Sequence, residues 1–264
     1  MEFVFYKYQG TGNDFVIIDN REGVFPKENT ELVAKMCDRR FGIGADGLIL
    51  LENHSCLHST TLADFTMVYY NSDGNLSSMC GNGGRCIAHF AKFLGIISEE
   101  ATFEAVDGMH QATVKNDWVS LKMNDVEAIT KSKNYTFLNT GSPHHVEVVS
   151  GLKDFDVFNT GRNIRNAVYG KKGSNVNFVE QVDDAVFSVR TYERGVEDET
   201  LSCGTGVTAV ALAMFETGKT SENTITLNTL GGQLEVHFNK EGVNYNNVYL
   251  KGPAIQVFKG KWKL

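Results

Sequence analysis

At 264 residues and 42% hydrophobic content, the chain can bury one large core or two of ordinary size, and its formal net charge of −7 excludes the basic footprint of a nucleic-acid binder. No apolar run approaches the ~20 residues of a membrane span, and the opening stretch MEFVFYKYQGTGNDF lacks the charged-then-apolar pattern of a secretory signal, so a cytoplasmic protein is expected. Five cysteines (Cys37, Cys56, Cys80, Cys86, Cys203) are an odd number in a mid-sized chain without secretory marks and read as thiols, not as a disulfide framework.

In chain order, FTMVYY (65–70) reads as a strand from its β-branched and aromatic content, and the polar NSDGN after it as a loop. Cys80 then opens CGNGGRCIAHFAKFLG, where Ile87, Phe90, Ala91 and Leu94 recur at helical spacing and Gly95 stands where a helix would stop. TFEAVDGMHQATV follows, an extended run broken by a glycine turn. The same order then returns: FSVRTY (187–192), a polar loop, Cys203, helical positions Val207, Val210, Ala211 and Met214, a stop at Gly218, and the run TLNTLGGQLEVHF.

Cys203 follows Cys80 at an offset of 123 (203 − 80), and the same offset maps Gly95 onto Gly218 and Gly108 onto Gly231. It also sets MVYYNSDGN against RTYERGVED, with Asn71 and Arg194 in equivalent places. A register this long predicts two copies of one unit, joined without a charge-rich linker near Lys115 to Asn124.

Both cysteines are thereby placed at helix N-termini, where unpaired backbone N–H groups and the helix dipole stabilise negative charge. Such a position draws a cysteine from ~8.5 into the range ~3.5 to 7.5, so a thiolate becomes accessible near neutral pH. The glycines Gly81, Gly83, Gly204 and Gly206 leave room for a ligand carboxylate at the same N–H groups. If the two copies face each other, two thiols can flank one carbon, one removing a proton and the other donating one from the opposite side. A single CGxG would read as a tight helix entry with a small buried cysteine; its recurrence in both repeats is what points to chemistry. Two such thiols would also be able to oxidise to a Cys80–Cys203 disulfide. Cys86 lies about 240° around the helix from Cys80 and reads as packing, and Cys37 and Cys56 have no comparable context.

The segments GTGNDFVIID, GIGADG, NSDGNLSSMCGNGGRC, GSPHHV, SNVNF, ERGVEDETLSCGTG and GPA, in this order, resemble the diaminopimelate epimerase family over essentially the whole chain. The resemblance implies a cofactor-independent, metal-free isomerase that interconverts LL- and meso-2,6-diaminopimelate on the way to lysine and peptidoglycan precursors. It implies an α/β (α+β) fold of two pseudo-symmetric lobes, each a strongly curved mixed sheet wrapped around a central helix. The N-terminal lobe would span 1–117, completed by a last strand at 253–264, and the C-terminal lobe 118–252. Partners are a small amino-acid substrate and a second copy of the chain, with no nucleic acid and no membrane.

Carried over residue by residue, the resemblance puts Cys80 and Cys203 in the base and acid roles, with Gly81, Asn82, Gly204 and Thr205 holding the α-carboxylate. Asn13, Asn71, Asn175 and Arg194 match substrate-binding positions; Glu193 matches a residue that contacts the substrate amine and supports the second cysteine; His144 matches a histidine near the first cysteine. Independently of the family, the planar fork of Arg194 suits a distal carboxylate. Taken singly, Asn13 and Asn71 also fit turn geometry beside glycine and aspartate, Glu193 and Arg194 a solvated strand-end pair, and His144 a satisfied structural histidine. Three departures bear on the distal contacts: Ser142 stands where an asparagine is usual, the loop from Glu193 to Cys203 is one residue longer, and Gly47 stands where some relatives have glutamine. The alternatives are a proline racemase or hydroxyproline epimerase-like enzyme and, from another class, a redox or metal-binding protein, although no C-x-x-C or H-E-x-x-H spacing occurs.

Overall fold

Two early stretches, FVII at 15–18 and LILL at 48–51, are continuously apolar where a half-exposed strand would alternate, which is the mark of strands covered on both faces. The computed structural model, which describes residues 2–54, 62–77 and 79–263, shows what covers them. Cys56 lies outside the described residues. By its contacts the chain divides into two units, Met1–Leu121 with Pro253–Leu264, and Lys122–Gly252.

In the first unit β1 (Glu2–Gly10) and β2 (Asn13–Asp19) form a hairpin, and after helix α1 (Thr30–Cys37) β3 (Gly47–Glu52) runs parallel to β2, Phe15 opposite Gly47. β4 (Phe65–Asn71) pairs antiparallel to β3. After helix α2 (Gly81–Phe93), β5 (Glu100–Ala105) joins β4 in parallel, with Phe65 opposite Phe103, and β6 (Gly108–Lys115) and β7 (Trp118–Lys122) extend an antiparallel meander. The strand Ile255–Lys263 returns to pair with β1. Alternation along the strands explains the double cover. Val16, Ile18, Leu48 and Leu50 pack with Leu32, Val33 and Met36 of α1, while Phe15, Ile49 and Met67 lie against Gly83 of α2.

The second unit repeats the plan. β8 (Ile129–Lys131) and β9 (Thr136–Asn139) lead to β10 (Pro143–Val148), which α3 (Val157–Ala167) connects to the parallel strand β11 (Asn175–Asp183), His144 opposite Asn175. β12 (Val186–Glu193) is antiparallel to β11, and β13 (Asp198–Thr200) folds back on β12. Helix α4 (Gly204–Glu216) precedes β14 (Thr224–Thr229), parallel to β12, then β15 (Gly232–Glu241) and β16 (Asn244–Pro253). Leu152 and Val157 cover one face of the sheet through Val176, Phe178 and Tyr192, and α4 covers the other. Each unit is thus a mixed α+β sheet packed around a buried helix, the fold class that the family resemblance implies. No described helix is long and apolar enough to cross a membrane.

The repeat holds at the helices, whose spans are offset by 123 (204 − 81), and slips on either side of them. The left-handed turn glycine that answers Gly108 (φ 123°) is Gly232 (φ 136°), not Gly231, because one extra residue lies between α4 and β14. Before the helix, Phe65 opposite Phe103 corresponds to Phe187 opposite Leu227, an offset of 122 (187 − 65). Glu193, not Arg194, therefore takes the strand-end place of Asn71, and the longer loop before Cys203 absorbs the difference.

Glu216 ends α4, where the helix dipole disfavours a negative charge. Lys131 Nζ at 2.9 Å, Lys240 Nζ and Tyr245 Oη at 2.6 Å all donate to its carboxylate, and hydrogen bonding from Lys240 first, then Tyr245 and Lys131, draws it down to about 2. A carboxyl held below its unfolded value stabilises the fold above that value and loses its contribution as pH falls through the folded one. Glu216→Gln should therefore cost about 1–3 kcal/mol in urea unfolding at pH 7 and flatten the acid limb between pH 4.5 and about 2. An unchanged acid limb would show that the three donors do not stabilise the anion.

Candidate active site

Cys80 and Cys203 are the N-cap residues of α2 and α4, each with an extended backbone, as the sequence predicts. Neither sulfur caps the helix it precedes, so the first-turn amides at Gly81 and Asn82, and at Gly204 and Thr205, are not claimed by the cysteine side chains. Cys203 is buried and Cys80 half-buried.

Around Cys80 the hairpin turn Thr11-Gly12-Asn13 brings Asn13 Oδ1 to 3.5 Å from the sulfur, and the same oxygen accepts from Asn82 Nδ2 at 3.2 Å. Asn71 stands at the end of β4 opposite Gly47, its backbone amide closing a turn onto Asn75 O at 2.9 Å, and its side chain joins none of these bonds. A Cβ at Gly47 would lie 2.5 Å from the Tyr69 ring, so Tyr69 fills the space in which a longer side chain would stand.

Around Cys203 the matching turn is Thr140-Gly141-Ser142, and Ser142 occupies the place of Asn13, two residues before the strand residue that opens the parallel pairing. Ser142 Oγ lies 3.2 Å from Thr205 Oγ1, which lies 3.5 Å from Cys203 Sγ. Thr205 in turn matches Asn82 at the helix offset. Asn175 Nδ2 donates to Ser142 Oγ at 3.1 Å, and Asn175 Oδ1 accepts from the Arg194 backbone amide at 2.9 Å. Glu193 accepts from Thr200 Oγ1 at 2.9 Å, which ties the end of β12 to the strand that leads into Cys203. The structure thus gathers Ser142, His144, Asn175, Thr205 and Cys203 in one network, with Glu193 and Arg194 at its edge.

His144 belongs to this second unit. Its Nε2 lies 3.0 Å from Ser142 Oγ, and Asn177 Nδ2 donates to its Nδ1 at 3.2 Å. Nδ1 is therefore an acceptor and Nε2–H the donor to Ser142. Burial first, and the Arg194 charge second, hold the ring down to about 3, so it is neutral throughout the physiological range. Ser142, already accepting from His144 and Asn175, has its own proton for Thr205, and Thr205 has its proton for the Cys203 sulfur.

Asn177 was not singled out by sequence, although it stands two residues after Asn175 in SNVNF and therefore on the same face of β11. It orders the network through His144 and through Thr191 Oγ1, which donates to its Oδ1 at 3.0 Å. A Cβ at position 206 would lie 2.6 Å from that oxygen, which explains the glycine there. Burial pushes the thiols of Cys37 and Cys86 up to about 12, so neither is a nucleophile at neutral pH. Among the described residues no three His, Cys, Asp or Glu side chains are placed to hold a metal ion.

The family model described as diaminopimelate epimerase matches residues 5–129 and 136–257. The diaminopimelate epimerase of Flavobacterium psychrophilum is 61% identical over 256 residues, covering 96% of this chain and 98% of that protein. The enzyme of the same name from Chlorobaculum tepidum is 43% identical over 261 residues, covering 95% and 98%. Among solved structures, a phenazine biosynthesis protein of the PhzF family from Bacillus anthracis superposes with a TM-score of 0.77 over the whole of both chains at 13% identity, a likeness of fold.

The His144 ring gives a direct check by nitrogen NMR. It should keep the Nε2–H tautomer without titrating between pH 8 and pH 5 (about 3 for the folded ring), and a midpoint near the ordinary 6.5 would break the donor chain to Cys203. Because the unfolded ring takes up a proton at higher pH than the folded one, this group also makes stability decline as pH falls from 6.5 toward about 3.

Proposed function

Since the chain belongs to the diaminopimelate epimerase family, we propose that it interconverts LL- and meso-2,6-diaminopimelate with two thiols and no cofactor or metal, as a homodimer in the cytoplasm, supplying lysine and peptidoglycan precursors. The observation that carries the mechanism is the match between the two units. Each sets one cysteine at the N-terminus of its buried helix, where a side chain from the equivalent hairpin turn bonds the second residue of the helix and one of that pair meets the sulfur.

In this reading one cysteine, as thiolate, takes the α-proton, and the electron pair left on carbon delocalises into the α-carboxylate. The other cysteine, as thiol, delivers its proton to the opposite side of the same carbon, so the centre inverts and the two sulfurs exchange protonation states. The amide ends Gly81–Asn82 and Gly204–Thr205 receive the carboxylate, which gains charge as the proton leaves, where fixed N–H dipoles stabilise it most. Asn13, Asn71, Ser142, Asn175 and Glu193 contact the rest of the substrate, and Arg194 clamps its distal carboxylate. Glu193 takes the substrate amine. His144, held neutral, acts by orienting Ser142 and not as a charged acid.

In deuterated water, wild type should convert the LL isomer to the meso isomer with deuterium at one α-carbon. Cys80→Ser and Cys203→Ser should each lower turnover by about 10²–10⁴-fold. Exchange into proline instead would keep the two-thiol chemistry and overturn the substrate; no exchange into either would overturn both. Arg194→Gln should raise KM for diaminopimelate at least about tenfold with a smaller change in kcat, and an unchanged KM would remove it from the distal carboxylate.

A further inference from the structure

The helix offset sets Arg85 of the first unit against Thr208 of the second (208 − 85 = 123), and the two have little in common. Thr208 is a neutral side chain that bonds back to Gly204 O at 2.9 Å. Arg85 is a guanidinium with 0% exposure, no carboxylate pairs with it among the described residues, and its Nη1 has no partner. A buried cation without a carboxylate is costly, so its retention asks for a task.

Arg85 Nη2 donates to Asn82 Oδ1 at 2.9 Å; Asn82 Nδ2 donates to Asn13 Oδ1 at 3.2 Å; Asn13 Nδ2 donates to Asp46 Oδ2 at 2.6 Å. The series begins on a group that only donates and ends on one that only accepts, so both amides have a single permitted orientation. Cys80 Sγ then meets the oxygen of Asn13 and not its NH₂, at 3.5 Å. In the second unit the matching positions are Ser142 and Thr205, hydroxyls whose protons rotate to suit their neighbours. An amide can be wrong by a flip and a hydroxyl cannot, which accounts for a lock in one unit alone.

We infer that Arg85 and Asp46 are positioning residues that lock the amides of Asn82 and Asn13, so that an acceptor and not a donor stands beside Cys80. An acceptor there suits the Cys80 thiol proton or a substrate ammonium group and repels a carboxylate. The chemical consequence for turnover rests on the epimerase reading; the orientation does not.

The test follows the pH midpoint of iodoacetamide alkylation of Cys80 by peptide mass mapping, with Cys203 as the internal reference. The charged groups around Cys80 are Arg85, Asp46 through Asn13, and Asp107, whose carboxylate accepts from the Met79 amide. Either end alone still fixes both amides, so the informative variant is the pair Arg85→Met/Asp46→Leu, which removes one charge of each sign, releases Asn82 and Asn13, lets an NH₂ turn to the sulfur, and should lower the Cys80 midpoint by about one pH unit without moving that of Cys203. The two lost charges oppose each other, so an unmoved or raised midpoint overturns the proposal. Arg85→Lys, which keeps a donor for Asn82, should hold the wild-type midpoint. If the pair does not fold, Arg85→Gln/Asp46→Asn, whose amides can donate or accept at either end, takes its place, and an unchanged midpoint there overturns the proposal equally. Where diaminopimelate is turned over, the Arg85→Met/Asp46→Leu pair should lose more kcat/KM than the product of the two single losses, up to about 100-fold; simply multiplicative losses would refute a shared relay. Alkylation needs no substrate, so failure of the epimerase reading leaves this result standing.

Discussion

The constraint on which each unit depends is that its central helix is buried along its length and open to chemistry at its first turn. α4 carries no ionised side chain before Glu216, and its residues from Val207 to Met214 are buried against strands. A helix so enclosed satisfies its backbone internally except at its ends, and its N-terminal amides are where its backbone offers free donors. The cysteines stand at that point in both units. Elsewhere the same enclosure makes cysteine inert, as the raised thiols of Cys37 and Cys86 show.

The two units keep one frame and fill it differently. The hairpin-turn residue is an amide in one and a hydroxyl in the other, and so is the second residue of the helix, to which it bonds. Hydroxyls carry their own protons and need only their acceptor sides filled, which His144, held by Asn177, and Asn175 do at Ser142; amides need their orientation set, which a buried arginine and an aspartate supply. A neutral histidine and an unpaired arginine, each costly to bury, are thus explained by the polar side chains they order.

Much of this was legible in the residues. The buried helices announced themselves by spacing, the cysteines by recurrence, and the family by motifs spread along the chain. What was not legible lay in places where one residue of register decides the partner. A gapless offset matched Gly231 to Gly108 and Arg194 to Asn71, but the strand pairings put Gly232 and Glu193 there. Loop length is nearly invisible to a pattern of apolar residues, because an inserted loop residue changes no buried face.

The sequence by itself determined the duplicated unit, the helix-entry thiols and the diaminopimelate epimerase family, since each of these rests on local spacing or on motif order. Only the tertiary structure decided which side chains those thiols meet. Asn13 reaches Cys80 across 67 positions and Ser142 reaches Thr205 across 63, so their partnership depends on strand register and hairpin turns. The protonation of His144 and the lock held by Arg85 depend on burial and on hydrogen-bond direction, which no linear pattern carries.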